Sequence, residues 1–293
     1  MKGPERLGDM GEDELVRRLL RGFGSGGLAV GPGDDCAVVD EGRGPLRLLK
    51  TDAIVEGVHF LPTAAASQVG WKAVARVVSD FAAMGGSARH VLVTLAVPRE
   101  REWSWLARLY RGIRRCLEKH GAVLAGGETS RLPEGAPVVI SVAGEGVVPR
   151  GKCVTRSGGR VGDVIGVTGS LGGSIAGRHL TFMPRVAEGA RLAAGGVTAM
   201  MDLSDGLAKD LPRLAAASGC GFELVPGALP RHRGVDVAGA LGDGEDYELL
   251  FTAPPRLWHA LVRQWPEGLA PITAIGRLTK EGGILEGGWD HFK

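Results

Sequence analysis

Residues 31–39 read GPGDDCAVV, and the rest of the chain is best interpreted outward from this stretch. Proline and glycine favour a tight bend, and the apolar residues 37–39 predict the start of a buried strand. Asp34 and Asp35 therefore stand side by side where a turn enters a strand. Two adjacent carboxylates repel each other and are costly to bury without a cation or several hydrogen bonds. Taken alone, the stretch is most simply a turn whose aspartates cap backbone N–H groups.

The bulk composition is that of a globular protein of 293 residues, 44% of them hydrophobic and 23% charged. This length predicts two domains, which we place at residues 1–149 and 150–293. A formal net charge of +2 is too balanced to favour binding to nucleic acid. We expect no membrane partner, because the sequence has neither an apolar signal region nor a run of about 18 apolar residues. Four cysteines without a CxxC pair fit a reducing cytoplasm and argue against a zinc site.

The spacing of apolar residues predicts helices and strands in alternation. Helices are predicted at residues 12–21, 70–86, about 103–120 and 207–218. Strands are predicted at residues 45–51, 137–148 and 247–252. The strand at 45–51 ends at Asp52, and its two-residue period places Lys50 and Asp52 on one face. Residues 121–131 are interpreted as a strand that runs into glycines and then into Glu128.

Carboxylates recur beside glycine-rich or turn segments, and one lies near the end of a helix. They are Asp34, Asp35, Asp52, Asp80, Glu128, Asp202 and Asp205. Each has a simpler role when considered alone, such as Ser204 or Asp205 as a helix N-cap, or Asp80 as an exposed partner of Arg76. Oxygen ligands without histidine or cysteine suit Mg²⁺, and such sites usually handle phosphates. Because GxxxxGK[ST], HRD and DFG are absent, the residues alone predict Mg²⁺-dependent phosphate chemistry outside the P-loop and protein-kinase folds.

Eight motifs follow one another along nearly the whole chain: GPGDDCAVV, KTDAIVEGVHF, VSDFAAMGG, AGGETSR, RSGGRVGDVIGVTG, MDLSDGLAKDL, GEDYELLF and GGWDHF. In this order they resemble the thiamine-monophosphate kinase family, within the superfamily of aminoimidazole ribonucleotide synthetase. The resemblance implies a two-domain α/β fold of the synthetase type. The N-terminal domain would bind ATP and Mg²⁺, and its mixed sheet would pair across a homodimer. The C-terminal domain would be an α/β sandwich.

The resemblance also implies an activity and a set of site residues. The implied enzyme is a cytoplasmic thiamine-phosphate kinase that transfers the γ-phosphoryl group of ATP directly to thiamine monophosphate, in line, with several Mg²⁺ ions. By motif position, the implied metal ligands are Asp35, Thr51, Asp52, Asp80, Glu128, Asp202 and Asp205. The implied ATP contacts are Gly127, Glu128, Arg156, Ser204 and Tyr110. The implied substrate contacts are His59, Glu245 and Trp289, and the implied catalytic residues are Asp52, Asp205 and Arg156.

The chemistry of these residue types agrees with that activity. A phosphate monoester has a second pKa near 6, so the attacking oxygen is already ionised at pH 7 and needs no general base. The difficulty lies in bringing two polyanions together, which carboxylate-held Mg²⁺ ions and Arg156 would address. An aromatic face such as that of Trp289 attracts the thiazolium cation of thiamine, and Glu245 would complement the same charge.

Four positions depart from the family pattern. Glu128 replaces the usual aspartate, and one extra methylene moves its carboxylate by about 1.5 Å. Lys50 stands where a small hydroxyl residue is common, on the face of Asp52, where it would pair with that acid and supply part of a metal's charge. Val77 replaces an asparagine, and Asp243 replaces a glycine.

These departures keep other functions open. Within the superfamily, the alternative is another ATP-using synthetase, although VEGVHF, GEDYELLF and the Trp289 tail favour the thiamine branch. A second alternative is a non-catalytic paralogue that binds Mg²⁺ and nucleotide without turnover, which Glu128 and Lys50 support. A dehydrogenase-like protein is disfavoured, because no convincing GxGxxG lies between a strand and a helix.

Overall fold

Strands and helices alternate along the chain and form two separate sheets in the computed structural model, which describes residues 6–292. The first part contains α1 (Glu12–Leu19), β1 (Ala37–Val39), β2 (Leu46–Val55), α2 (Ala66–Ala83), β3 (Ser87–Pro98), α3 (Trp103–His120), β4 (Val123–Leu132) and β5 (Val139–Val148). The second part contains β6 (Val164–Thr168), α4 (Val186–Gly195), β7 (Ala199–Asp202), α5 (Leu207–Ala217), β8 (Gly221–Leu224), α6 (Val237–Gly242), β9 (Leu249–Ala253), α7 (Pro255–Arg263) and β10 (Ile272–Thr279). Within residues 6–292, the helices are too short or too polar to cross a membrane.

The first sheet is mixed and has the strand order β1-β2-β5-β3-β4. Strands β3 and β4 pair in parallel, whereas the other neighbours in this sheet are antiparallel. One face is covered by α2 and α3, whose apolar side chains join those of the strands in one core. The mixed N-terminal sheet predicted from the resemblance is confirmed.

The second sheet has the order β7-β9-β6-β10-β8, and all of its neighbouring strands are antiparallel. Successive residues of β7 point to opposite faces, since Met200 packs in one core and Met201 in another. One core contains residues of α4 and α7, and the other contains residues of α5 and α6. Helices therefore cover both faces, as predicted for the C-terminal α/β sandwich.

Helix α2 connects the two halves of the molecule. It packs on β2, β3 and β5 of the first sheet, on α3, and also on α4 and β7 of the second half. Its crossing with α3 is close, because a Cβ added to Gly112 would lie 1.9 Å from the carbonyl oxygen of Ser67. A Cβ at Gly70 would lie 2.0 Å from the carbonyl oxygen of Leu109. This contact fixes the position of α2, and with it the charged residues that α2 carries.

Two strands extend further than the sequence pattern indicates. Strand β2 does not end at Asp52 but continues to Val55, because its pairing with β5 extends to the Val55–Val139 pair. Strand β4 likewise does not end at the glycines before Glu128, since it runs without a break from Val123 to Leu132 along β3. A register shift near Gly126, whose φ is +154°, accommodates them.

Candidate active site

Three buried carboxylates meet between the two sheets. Asp35 comes from the turn before β1, Asp80 from α2 and Asp202 from the end of β7. One oxygen of each lies within 4.8 Å of the others, and the three residues are only 1%, 5% and 3% exposed. The simpler role of Asp80 as an exposed partner of Arg76 is wrong, because Asp80 is buried and its partner is Lys50. Three sequence-distant acids thus form one cluster.

The Gly-Asp-Asp turn uses its two acids differently. Asp34 holds the turn, because its Oδ1 accepts a hydrogen bond from the Asp35 N–H at 3.0 Å. Its carboxylate also accepts from the Arg156 N–H, at 3.1 Å from Oδ2. Asp35 instead points into the cluster, where its Oδ1 accepts from Arg156 Nη2 at 2.6 Å. Burial and the neighbouring Asp35 raise the pKa of Asp34 to about 6.

Two further cations stand among these acids. The ammonium of Lys50 lies 2.7 Å from Oδ1 of Asp80, and Arg76 forms an ion pair with Asp52, with Nε 3.0 Å from Oδ2. The predicted Lys50–Asp52 pairing is therefore wrong. The two residues do share the face of β2 that is turned towards α2, but α2 brings Asp80 to the lysine and Arg76 to Asp52. Burial alone would lower the pKa of Lys50, yet Asp80 and Asp52 outweigh it and raise that pKa.

The cluster still lacks positive charge. Asp52 and the three acids of the cluster together carry four formal negative charges. They face three positive charges, on Lys50, Arg76 and Arg156. Oδ2 of Asp35 is buried without a hydrogen-bond partner. Burial, followed by repulsion from Asp35, raises the pKa of Asp202 to about 7. An unpaired oxygen in an all-oxygen donor set is what Mg²⁺ binds, so these residues fit that ion.

Two cavities meet beside this cluster. We call the first the acidic cleft; it is lined by Lys50, Asp52, Asp80, Arg156 and Asp202, among others. We call the second the aromatic pocket; it is lined by His59, Glu245, Tyr247, Trp289 and His291, among others. Their walls share Arg76, Ser204, Asp205, Tyr247 and His291. A molecule in the aromatic pocket would therefore have one end at the cluster.

The aromatic pocket is built on a fixed polar frame. Lys72, which is fully buried, contacts Glu245 at 2.7 Å and donates to the His59 carbonyl oxygen at 2.6 Å. Burial and the nearby Arg76 lower the pKa of His59 to about 3, so its ring is neutral at pH 7. Nδ1 of His59 accepts from the Val55 N–H at 3.1 Å, which leaves Nε2 as the donor. Glu245 has a φ of +52°, a strained conformation typical of functional sites.

The C-terminal tail and the loop before α5 form part of the wall that the two cavities share. The backbone N–H of Trp289 donates to the Asp205 carbonyl oxygen at 2.8 Å, so the tail is tied to the loop before α5. Asp205 forms an ion pair with Arg213 at 2.6 Å, and its N–H donates to Asp210 at 3.0 Å. Neither Ser204 nor Asp205 caps α5, since its N-cap is Gly206 and no side chain bonds there.

The sequence comparisons agree with this geometry. The model for the N-terminal domain of AIR synthase related proteins matches residues 33–148, and that for the C-terminal domain matches residues 160–285. The chain is 36% identical to thiamine-monophosphate kinase of Rhodopirellula baltica, over 88% of this chain and 85% of that protein. It is 34% identical to the enzyme of the same name in Escherichia coli K12, over 96% and 98%. The chain belongs to the thiamine-monophosphate kinase family.

Structural comparison gives the same family. The structure "AaThiL complexed with AMPPCP and TMP" is 31% identical and superimposes with a TM-score of 0.88, covering 99% of this chain and all of that one. A thiamine-monophosphate kinase from Stenotrophomonas maltophilia has a TM-score of 0.73 at 29% identity. Hydrogenase maturation protein HypE, at 21% identity, shares the fold alone. The predicted family and fold are confirmed.

Not all residues assigned from the family motifs reach the cluster. Thr51 is exposed on the outer face of the first sheet, opposite to Asp52. Glu128 is also exposed there, because it pairs with the exposed Thr94 on β3. The adjacent Gly127 is exposed on β4. Tyr110 is 36% exposed on α3, and neither of the two cavities that meet at the cluster includes it.

The resemblance assigns no role to several other residues of the site. They are Lys72, Ser79, Asp210, Arg213 and His291. Ser79 donates to Asp202 Oδ2 at 2.6 Å. Lys72 carried a usable signal, because a lysine within an apolar helical stretch needs a buried partner. Asp210 and Arg213 gave no such signal, since charged residues on one side of an amphipathic helix are usually exposed.

Proposed function

We propose that this chain transfers the γ-phosphoryl group of ATP to thiamine monophosphate, giving ADP and thiamine diphosphate. The observation that carries the proposal is the junction of the two cavities at Ser204 and Asp205. A phosphate attached to thiamine rings in the aromatic pocket would lie at the acidic cluster, where the nucleotide phosphates would enter from the cleft. Named relatives with this activity cover most of the chain, which supports the same assignment.

We further propose that the acidic cleft binds Mg²⁺ together with the phosphates of ATP. Asp35 and Asp202 would hold the metal, with Asp52, Asp80 and Asp205 at its margins. When bound, Mg²⁺ neutralises charge on the phosphate oxygens and aligns donor with acceptor. Arg156 adds a fixed positive charge, and its bond to Asp35 directs that charge towards the cluster.

The chain needs no general base for this reaction. The acceptor oxygen of a phosphate monoester is ionised at pH 7, so the residues only have to bind and orient it. Neutral His59 would donate a hydrogen bond from Nε2 to the bound substrate without adding charge. Trp289 offers an aromatic face to the thiazolium ring. Glu245, fixed by Lys72, complements the positive charge of thiamine.

The outer face of the first sheet supports a homodimer. Large apolar side chains are exposed there or on the edge strand β4: Leu49, Leu92, Val123 and Leu124. We propose that a second copy covers this face, and that Thr51, Gly127 and Glu128 act only in the dimer. Light scattering would give twice the chain mass for the native protein and the monomer mass for Leu92→Lys. Monomeric native protein would contradict the pairing. The division of roles between residues 1–149 and 150–293, and the cytoplasmic location, stay predictions.

The test is to incubate the purified chain with ATP, Mg²⁺ and thiamine monophosphate and to separate the thiamine phosphates by chromatography. Thiamine diphosphate should accumulate in proportion to the ADP formed. The rival function is a paralogue that binds nucleotide without turnover, which the exposed Glu128 and the Lys50 ammonium beside Asp80 support. Calorimetric binding of an ATP analogue, without product at high protein concentration, would establish that rival.

A further inference from the structure

The ammonium of Lys50 occupies one end of the acidic cluster. Its Nζ lies 2.7 Å from Oδ1 of Asp80, and the two side chains are 23% and 7% exposed. Lys50 is in the middle of β2, paired through its backbone with Gly144 of β5. Its direction is fixed by the strand, since Leu48 and Ile54 on the same face are buried in the core. The fold therefore holds the lysine side chain within the site.

The other end of the cluster is open. Asp35 gives Oδ1 to Arg156 and keeps Oδ2 buried without a partner. Asp202 gives Oδ2 to Ser79. A cation that completes the cluster therefore has an unused oxygen on the side of Asp35, whereas on the side of Asp80 a positive charge is already in hydrogen-bond contact.

A divalent ion on Asp80 Oδ1 would have to share that oxygen with the ammonium. Mg²⁺ binds oxygen at about 2.1 Å, so the metal and Nζ would be close neighbours. Two cations at that separation repel strongly in a buried site. A lysine cannot ligate a metal while it is protonated, because its ammonium has three donors and no acceptor.

We propose that Lys50 is a built-in cation that takes the place of one divalent metal ion at the Asp80 end of the acidic cleft. The chain would accordingly bind one divalent ion fewer than it would with a small neutral residue at this position. The proposal rests on the proposed function only for the presence of metal in the cleft.

The test is to count the Mn²⁺ ions bound per chain, from the electron paramagnetic resonance signal of free Mn²⁺, with and without a non-transferable ATP analogue. Lys50→Ser and Lys50→Met should each bind one more Mn²⁺ per chain than the native protein. Lys50→Arg keeps the charge and should leave the count unchanged. Lys280→Met, which removes an exposed lysine, is the matched control.

A second measurement covers variants that fold poorly. Without metal, Lys50→Met should melt below the native protein, because Asp80 loses its partner, and Mn²⁺ should raise its melting temperature more than that of the native protein. An equal count of Mn²⁺ in Lys50→Ser and the native protein would overturn the proposal, since the lysine would then simply move aside. The count requires no turnover, so the proposed kinase activity can fail while the metal count still decides this point.

Discussion

The substitution Asp52→Asn separates a role in phosphoryl transfer from a role in folding. It removes one charge and keeps the side-chain shape. Asp52 lies against Arg76, with Nη2 3.2 Å from Oδ1 and Nε 3.0 Å from Oδ2. Loss of a buried partner costs about 3–5 kcal/mol. Asparagine keeps an oxygen for Nη2, and Arg76 keeps the Ala53 carbonyl oxygen at 3.0 Å, so we expect a loss of only about 1–2 kcal/mol.

The expected loss of activity is larger. Removing one preorganised electrostatic group from a reacting site typically lowers kcat by about 10²–10³-fold. The assay is the steady-state rate of thiamine diphosphate formation, with urea unfolding measured on the same preparation. Asp40→Asn is the matched control, because Asp40 pairs with Arg150 at the surface and should change neither quantity much. A rate within about threefold of the native value would remove Asp52 from the catalytic set. A variant that is slow only because it is unfolded would make its role structural.

Three further variants test other parts of the molecule. Trp289→Ala should raise KM for thiamine monophosphate about 2- to 30-fold, the equivalent of about 0.5–2 kcal/mol of cation–π attraction. KM for ATP should stay unchanged, and Trp103→Ala, which alters an exposed tryptophan, is the control. Gly112→Ala should lower the free energy of unfolding by about 1–3 kcal/mol through overpacking, whereas an added Cβ at Gly227 meets nothing within 4 Å, so Gly227→Ala should be neutral in urea unfolding. Burial raises the pKa of Asp246 to about 7, so its contribution to stability is complete below about pH 4 and is lost as pH rises through 7. In urea unfolding, the free energy of unfolding of Asp246→Asn should rise relative to that of the native protein from pH 5 to pH 8. A difference in free energy that does not change with pH would contradict the raised pKa.

Local sequence patterns predicted the elements that depend on local rules. Helix α3 has the predicted bounds of Trp103 and His120, because its apolar stripe is regular and Gly121 ends it in a left-handed conformation. Helix α2 begins at Ala66, before the predicted Gly70. The four extra residues carry no local start signal, and the contact of Gly112 with this segment explains why they are ordered as helix.

Local sequence patterns do not predict that the three acids of the cluster come together. The family motifs place Asp35, Asp80 and Asp202 in one predicted metal set, but nothing in their spacing along the sequence indicates that the three carboxylates touch. Strand alternation gave the face of Lys50 correctly and its partner incorrectly. The choice between Asp52 and Asp80 depends on where α2 lies against β2, which is a result of tertiary packing.

The proposed active site can be tested by a crystal structure of the chain with a non-transferable ATP analogue, Mn²⁺ and thiamine monophosphate. We expect Mn²⁺ and the terminal phosphates at Asp35 and Asp202, the Lys50 ammonium still at Asp80, and the thiamine rings between His59 and Trp289. The phosphate of the acceptor should face the γ-phosphate at the junction of the two cavities. Thiamine monophosphate with its rings away from His59 and Trp289, for example in the neighbouring cavity beside Arg178 and His232, which shares Glu245 with the aromatic pocket, would contradict the proposed site.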